Sequence, residues 1–237
     1  MYLSMEILMR VHKYMAMCGV ASRRKSEAIV LEGRVKINDV VVTSLGTPVE
    51  ENDVVKVDNE VITLEETKVY IMLNKPLECV TTSDDQFNRT TVLDYVDIKE
   101  RIYPIGRLDY NTTGMLLLTN DGDLANKIMH PSTHLTKTYV AKVKGTPTED
   151  EMKRFESGLM IDERMTSPAK IKILNPGLVQ VQIYEGRNRQ VRKMLEVIDH
   201  PVITLKRSRI GTLELGNLKQ GTYRHLTSDE INYLINY

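Results

Sequence analysis

One loop gathers the side chains best suited to chemistry. Residues 103–122 place Arg107, Asp109, Asn111, Thr112 and Thr113 between two apolar runs, and the pattern predicts strand, loop, strand, turn. Such a loop can present polar groups with defined aim. A carboxylate held there can attack carbon or support positive charge, and a nearby guanidinium would keep it ionised. On spacing alone the simpler reading is a connection in which Asp109 caps a turn and Arg107 pairs with it.

Two basic clusters stand apart from this loop. Residues 185–194 carry Arg187, Asn188, Arg189, Gln190, Arg192 and Lys193 at a Gly186 turn and the start of a helix, and the same cluster extends to Lys206, Arg207 and Arg209. Arg23, Arg24 and Lys25 occupy the first turn of another expected helix, with Arg10 and Lys13 upstream. Cations at a helix start oppose its dipole, so local stability does not explain them, whereas a phosphate lying there would. Solvated surface charge is the competing explanation at both places.

The elements that must position these groups can be read from periodicity and punctuation. Val11, Tyr14, Met15 and Cys18 fall on one helical face, Ser22 suits an N-cap, and Gly33 suits the end of a second helix. Short β-prone runs follow at 34–37, 40–43 and 54–57. The acidic stretch 58–67 has no clear period and is expected to be a flexible linker. Beyond it, strands are expected at 69–73, 102–105, 115–119, 138–143 and 179–184. Thr148 with Glu151 and Thr227 with Glu230 have capping-box spacing, and Val191, Met194, Leu195 and Ile198 form a helical face. The mixed order predicts an α+β fold: a small domain over 9–58, a linker over 59–67, and a mixed, mostly antiparallel sheet domain over 68–237.

Composition sets the outer bounds. The 237 residues are 41% hydrophobic, enough to fill one large core and a small one, and the formal net charge of zero hides a strongly blocked arrangement. No run approaches a membrane span or a secretory signal, so a cytoplasmic location is expected. Cys18 and Cys79 lack partners at metal-ligand spacing and read as reduced thiols. No Gly-rich phosphate loop of the P-loop type is present.

Gly106-Arg107-Leu108-Asp109, followed by Thr112-Thr113-Gly114-Met115-Leu116-Leu117-Leu118-Thr119-Asn120-Asp121-Gly122, resembles the catalytic motif of the RsuA-like bacterial pseudouridine synthases. Asn74-Lys75-Pro76 resembles the family's first motif, Lys137-Thr138-Tyr139 its tyrosine motif, and 185–194 its basic motif. The first fifty or so residues resemble an S4-type RNA-binding domain. The resemblance implies isomerisation of a uridine in ribosomal RNA, with Asp109 as essential carboxylate, Tyr139 stacking on the base, and Arg192 paired with Asp109. It also implies RNA contacts from Arg107, Arg187, Asn188, Arg189, Gln190, Lys193, Arg10, Lys13, Arg23, Arg24 and Lys25. Lys75 and Pro76 are read as architectural, since proline fixes the strand exit.

No cofactor, metal, membrane or protein partner is implied; the expected partner is rRNA. Asn188-Arg189-Gln190 and His130-Pro131-Ser132 resemble the RluB branch, which favours 23S over 16S rRNA. Two other classes share the same loop. A non-catalytic rRNA-binding protein would use the second domain only for docking, and a nucleosidase would use Asp109 to stabilise an oxocarbenium-like state.

Overall fold

The computed structural model describes residues 9–237. Backbone contacts divide the chain at Lys68/Val69 into two compact units.

The first unit runs β1 (Met9–Arg10), α1 (Val11–Met17), α2 (Arg23–Leu31), β2 (Val35–Ile37), β3 (Val40–Val42), β4 (Pro48–Val49), β5 (Val55–Val57) and β6 (Glu60–Val61). Its core is small: Val11, Met15, Val30, Val35, Val49, Val55 and Val57 meet where the two helices cover the sheet. Ser22 caps α2 by accepting from the Lys25 backbone N–H at 3.3 Å. The 59–67 stretch differs from the expected free linker. Glu60 and Val61 pair antiparallel with β5, Ile62 packs against the valine core, and the Glu65 N–H reaches the Met17 carbonyl. Two paired residues are too few to produce a readable period, so charge masked the strand.

The second unit contains β7 (Tyr70–Lys75), β8 (Tyr103–Ile105), β9 (Thr113–Thr119), α3 (Gly122–Met129), β10 (Lys137–Val143), α4 (Glu149–Glu156), β11 (Met160–Ile161), β12 (Arg164–Met165), β13 (Lys170–Asn175), β14 (Leu178–Ile183), α5 (Gln190–Val197), β15 (Val202–Ile210), β16 (Leu213–Glu214), β17 (Tyr223–His225) and α6 (Ser228–Asn236). The main sheet runs β13-β14-β10-β15-β9-β7-β17, with β16 beside β15 and β8 beside β9. Its pairings are antiparallel except β9 with β15. Apolar residues cover both faces. Ile71, Leu73, Leu116 and Leu118 enter one core, while Met72, Met115 and Leu117 enter the other. This two-sided burial is why β9 reads as an unbroken apolar run. Both expected capping boxes are formed, at Thr148/Glu151 and Thr227/Glu230.

The parallel contact between β9 and β15 registers only Thr113 with Lys206 and Gly114 with Arg207. A Cβ at Gly114 would lie 2.2 Å from the Arg207 carbonyl oxygen, and its φ of +107° is a backbone state other residues avoid. Glycine here lets the strand after the Asp109 loop meet the strand carrying Arg207. No helix among the described residues is long and apolar enough to cross a membrane.

Candidate active site

The loop between β8 and β9 is fixed from beneath by a buried cation. Lys75, at the end of β7, has no exposed surface, and its Nζ donates to the carbonyls of Pro76 at 3.0 Å, Asp109 at 3.1 Å and Thr112 at 3.0 Å. Three carbonyls use all the ammonium's hydrogens. Burial pushes the Lys75 pKa below the ordinary lysine value, opposed by Cys79 and Asp109. Thr81 clamps the other side: its hydroxyl donates to the Leu108 carbonyl at 2.8 Å and accepts from the Leu108 N–H. The Thr112 N–H closes the loop on the Asp109 carbonyl at 3.0 Å. Lys75 therefore has an architectural place, and what it holds is the loop that carries Asp109.

Arg192 holds the same loop from α5. Its Nη2 donates to the Asn111 carbonyl at 2.7 Å and its Nη1 to Val202 at 3.4 Å, and the residue is only 8% exposed. This corrects the expected ion pair. Among the described residues no hydrogen bond or ion pair occupies the Asp109 carboxylate, and Arg192 acts on it through the backbone and at longer range. Burial, then neighbouring Arg189, lower the Arg192 pKa, while Asp109 raises it.

Asp109, Tyr139, Lys137, Leu205 and Arg207 all line one cavity of about 630 Å³, a volume that accommodates a nucleotide-sized ligand. Tyr139 is 8% exposed and packs in the core, so only a small part of it borders the cavity. Arg107 and Asp109 also face an adjoining groove of about 420 Å³, beside the exposed rings of Phe87 and Tyr110. Arg89 lies 5.0 Å over the Phe87 ring.

The basic motif divides by role. Asn188 and Arg189 are exposed at the cavity wall, and Arg189 adopts a left-handed φ of +52° before α5. Arg187 is engaged by the protein: it bonds the Arg164 and Met165 carbonyls and pairs with Glu185 at 3.4 Å. Gln190 does not fit the expected RNA contact. It is 3% exposed, accepts from the Arg187 N–H at 3.0 Å and donates to Glu185 at 2.8 Å, bracing the turn from inside. Lys193 does not border the cavity. It pairs with Asp162 beside a separate depression lined by Met160, Glu196 and Val197. A helical period says which face a residue occupies, not which surface that face meets.

The remaining expected contacts belong to the first unit. Arg10, Arg23, Arg24 and Lys25 are exposed and Lys13 is half-buried. Their neighbours Arg34 and Lys36 are occupied: Arg34 pairs with Asp58 at 2.5 Å and Glu32 at 3.0 Å, and Lys36 bonds Asn59.

Residues whose place at the cavity was not read from the sequence include Arg207, counted there only as part of a basic run, and Lys137 and Glu185, quoted only within motifs. Arg207 is 4% exposed, faces Tyr139 across the β10–β15 pairing, and donates through Nε to the Met115 carbonyl at 2.7 Å. A cation at an inward strand position was the available signal, hidden by the charged run 206–209.

Comparisons with known proteins identify the family of each unit. The RNA pseudouridylate synthase profile matches residues 69–197, and the S4 domain profile matches residues 9–55. The chain is 47% identical over 232 residues to the ribosomal large subunit pseudouridine synthase B of Bacillus subtilis, covering 95% of each chain. It is 42% identical to an uncharacterized RNA pseudouridine synthase of Aquifex aeolicus, covering 95% of this chain and 93% of the other. A crystal structure of a pseudouridylate synthase superposes with a TM-score of 0.71 at 33% identity, covering 95% of this chain and 99% of that one.

Proposed function

The chain belongs to the RsuA-like RNA pseudouridine synthases and carries an S4 domain, and from that membership we propose that it isomerises a uridine of 23S rRNA using Asp109. The observation that carries the assignment of Asp109 is its placement. The carboxylate stands on the wall of a nucleotide-sized cavity, without a partner among the described residues, on a loop whose carbonyls are held by Lys75 and Arg192. A carboxylate on so fixed a backbone is preorganised for the sugar carbon it must serve.

The reaction breaks the bond from C1′ to N1 of the base, turns the base, and joins C5 to C1′. Both bonds are out of reach in a stacked helix, so the uridine must leave the stack. Tyr139 then lies against the extruded base, with Leu205 completing an apolar wall. Arg107, Asn188 and Arg189 hold the flanking strand at the mouth, and Arg187 and Gln190 set the shape of the turn that carries them. The S4 module docks on rRNA through Arg23, Arg24 and Lys25, aided by Arg10 and Lys13. The large-subunit assignment is supported by the 47% identity to the Bacillus subtilis enzyme.

Asp109→Asn is the decisive variant. Tritium release from C5-labelled rRNA is expected to fall by roughly four orders of magnitude or more, with rRNA affinity nearly unchanged. Retained turnover would remove Asp109 from the mechanism. Failure of the wild-type protein to release tritium from any rRNA would leave only a binding role, and free uracil among the products would indicate hydrolysis. Pseudouridine maps from cells with and without the protein identify the target; loss of a 16S position would overturn the large-subunit assignment.

A further inference from the structure

We propose that Arg207, with Lys137 beside it, receives the negative charge of the uracil ring as it departs from the sugar, by donating hydrogen bonds to a carbonyl oxygen of the detached base. This rests on the cavity at Asp109 being the active site.

The placement follows from strand register. Arg207 is the cross-strand partner of Tyr139, and Lys137 lies two residues before Tyr139 on β10. Side chains two apart on a strand share a face. Lys137, Tyr139, Leu205 and Arg207 accordingly all border the cavity that Asp109 borders. Both cations are under-used by the protein. Among the described residues Arg207 makes one hydrogen bond, Nε to Met115, and its Nη2 is enclosed with no partner. Lys137 has only a 3.4 Å contact with the Leu135 carbonyl. A buried guanidinium with idle donors is costly, and such groups are rarely left unsatisfied without a role. The carboxylates bordering the cavity are Asp109 and Glu185, and Glu185 is already taken by Gln190, Arg187 and the Ser167 N–H. Lys137 accordingly has its pKa lowered by burial and by Arg207.

The depth of the pair selects the base over a phosphate. Arg207 is 4% exposed among Tyr139 and Leu205, whereas exposed Asn188 and Arg189 stand where a sugar-phosphate strand would pass. The base is also where charge develops. When the N1–C1′ bond breaks heterolytically, its electron pair stays on the base and spreads over N1, O2 and O4. C1′ is left electron-poor beside the Asp109 carboxylate. When C5 of the turned base joins C1′ the ring becomes neutral, and the later loss of the C5 proton is matched by a proton taken up at N1. Donors fixed at a carbonyl oxygen stabilise the charged state more than the neutral nucleotide, and a site shielded from water makes that difference large.

A leaving-group comparison tests this. Single-turnover conversion, scored as consumption of the starting nucleoside, is measured by chromatography of digested rRNA fragments carrying uridine or 5-fluorouridine at the target. Fluorine stabilises a negative ring and, with no C5 proton to lose, leaves only the steps up to C5–C1′ bond formation to be compared. Arg207→Gln is expected to slow uridine conversion on the order of 10²-fold and fluorouridine conversion distinctly less, with Arg207→Lys recovering part of the loss. Lys137→Met should show the same selectivity at smaller size, and it carries the test if thermal melting shows that Arg207→Gln fails to fold. Equal losses on both substrates, or no loss on either, would overturn the inference. A wild-type protein that converts neither substrate would instead overturn the active-site reading beneath it.

Discussion

The two units both concentrate positive charge, but they hold it in opposite ways. In the first unit Arg23, Arg24 and Lys25 project into solvent from the start of α2, while Arg34 is neutralised by its own module's Asp58 and Glu32. In the second unit Lys75, Arg192 and Arg207 are each more than nine-tenths buried and anchored to main-chain carbonyls. Exposed cations lose little solvation when an RNA phosphate arrives, and their contribution is graded and salt-dependent. Buried cations are expensive in advance, so the protein keeps them only where geometry must not vary. Docking tolerates approximate charge; the bond-breaking step requires aim.

Removing a buried cation should therefore have the largest effect. Lys75→Met removes the ammonium shared by three carbonyls, leaving that of Asp109 only the Thr112 N–H and that of Pro76 only the Cys79 thiol, and we expect a loss of roughly 3–5 kcal/mol in denaturant unfolding, together with loss of turnover. A variant as stable as wild type would break the contrast between the units. Gly114→Ala attacks the same site through the backbone, since its new Cβ would meet the Arg207 carbonyl at 2.2 Å. It is expected to cost at least about 1–3 kcal/mol and to reduce turnover further than that loss of stability explains, because it shifts Arg207 and the Asp109 loop together.

Where burial was periodic or capping was local, the fold was legible. The 179–184 alternation became β14, the 191–198 face became α5, and the two Thr/Glu spacings became capping boxes. Strand β15 was not legible because Lys206, Arg207, Ser208 and Arg209 interrupt the apolar signal, although Arg207 turns inward and Leu205 is buried. The same limit applied to the site. Asp109 and Tyr139 could be singled out through motif resemblance and do share a cavity. Which carbonyl Arg192 would meet, and that Lys193 would find Asp162, depend on contacts between residues up to 81 positions apart. No local pattern encodes those distances.

The exposed cluster should give a smaller and different response. Replacing Arg23, Arg24 and Lys25 together with alanine is expected to weaken rRNA binding by roughly tenfold at physiological salt, and to flatten the dependence of log affinity on log salt by about 0.7–0.9 for each lost phosphate contact. Thermal stability and turnover at saturating rRNA should stay as in wild type. An unchanged salt slope would show that the module docks elsewhere, whereas a fall in saturated turnover would show that these cations do more than dock.

The smallest effect should come from a charge that is solvent-facing yet geometrically fixed, intermediate between the two regimes. Glu151 accepts from the Thr148 backbone N–H at 2.7 Å and from its hydroxyl at 2.8 Å, and lies 3.2 Å from His200. These contacts, the backbone hydrogen bond foremost, hold its pKa down to about 2, against 4.5 for a free glutamate. A carboxylate with a depressed folded-state pKa contributes stability that is fully present above the unfolded value and fades as pH falls from about 4.5 toward 2. Glu151→Gln should therefore flatten the stability profile in that acid window and leave its shape near neutrality unchanged, as read by denaturant titrations at successive pH values. If the acid slope survives the substitution, fixed donor geometry at the surface adds nothing to an exposed charge, and burial alone separates the two ways this chain holds its charges.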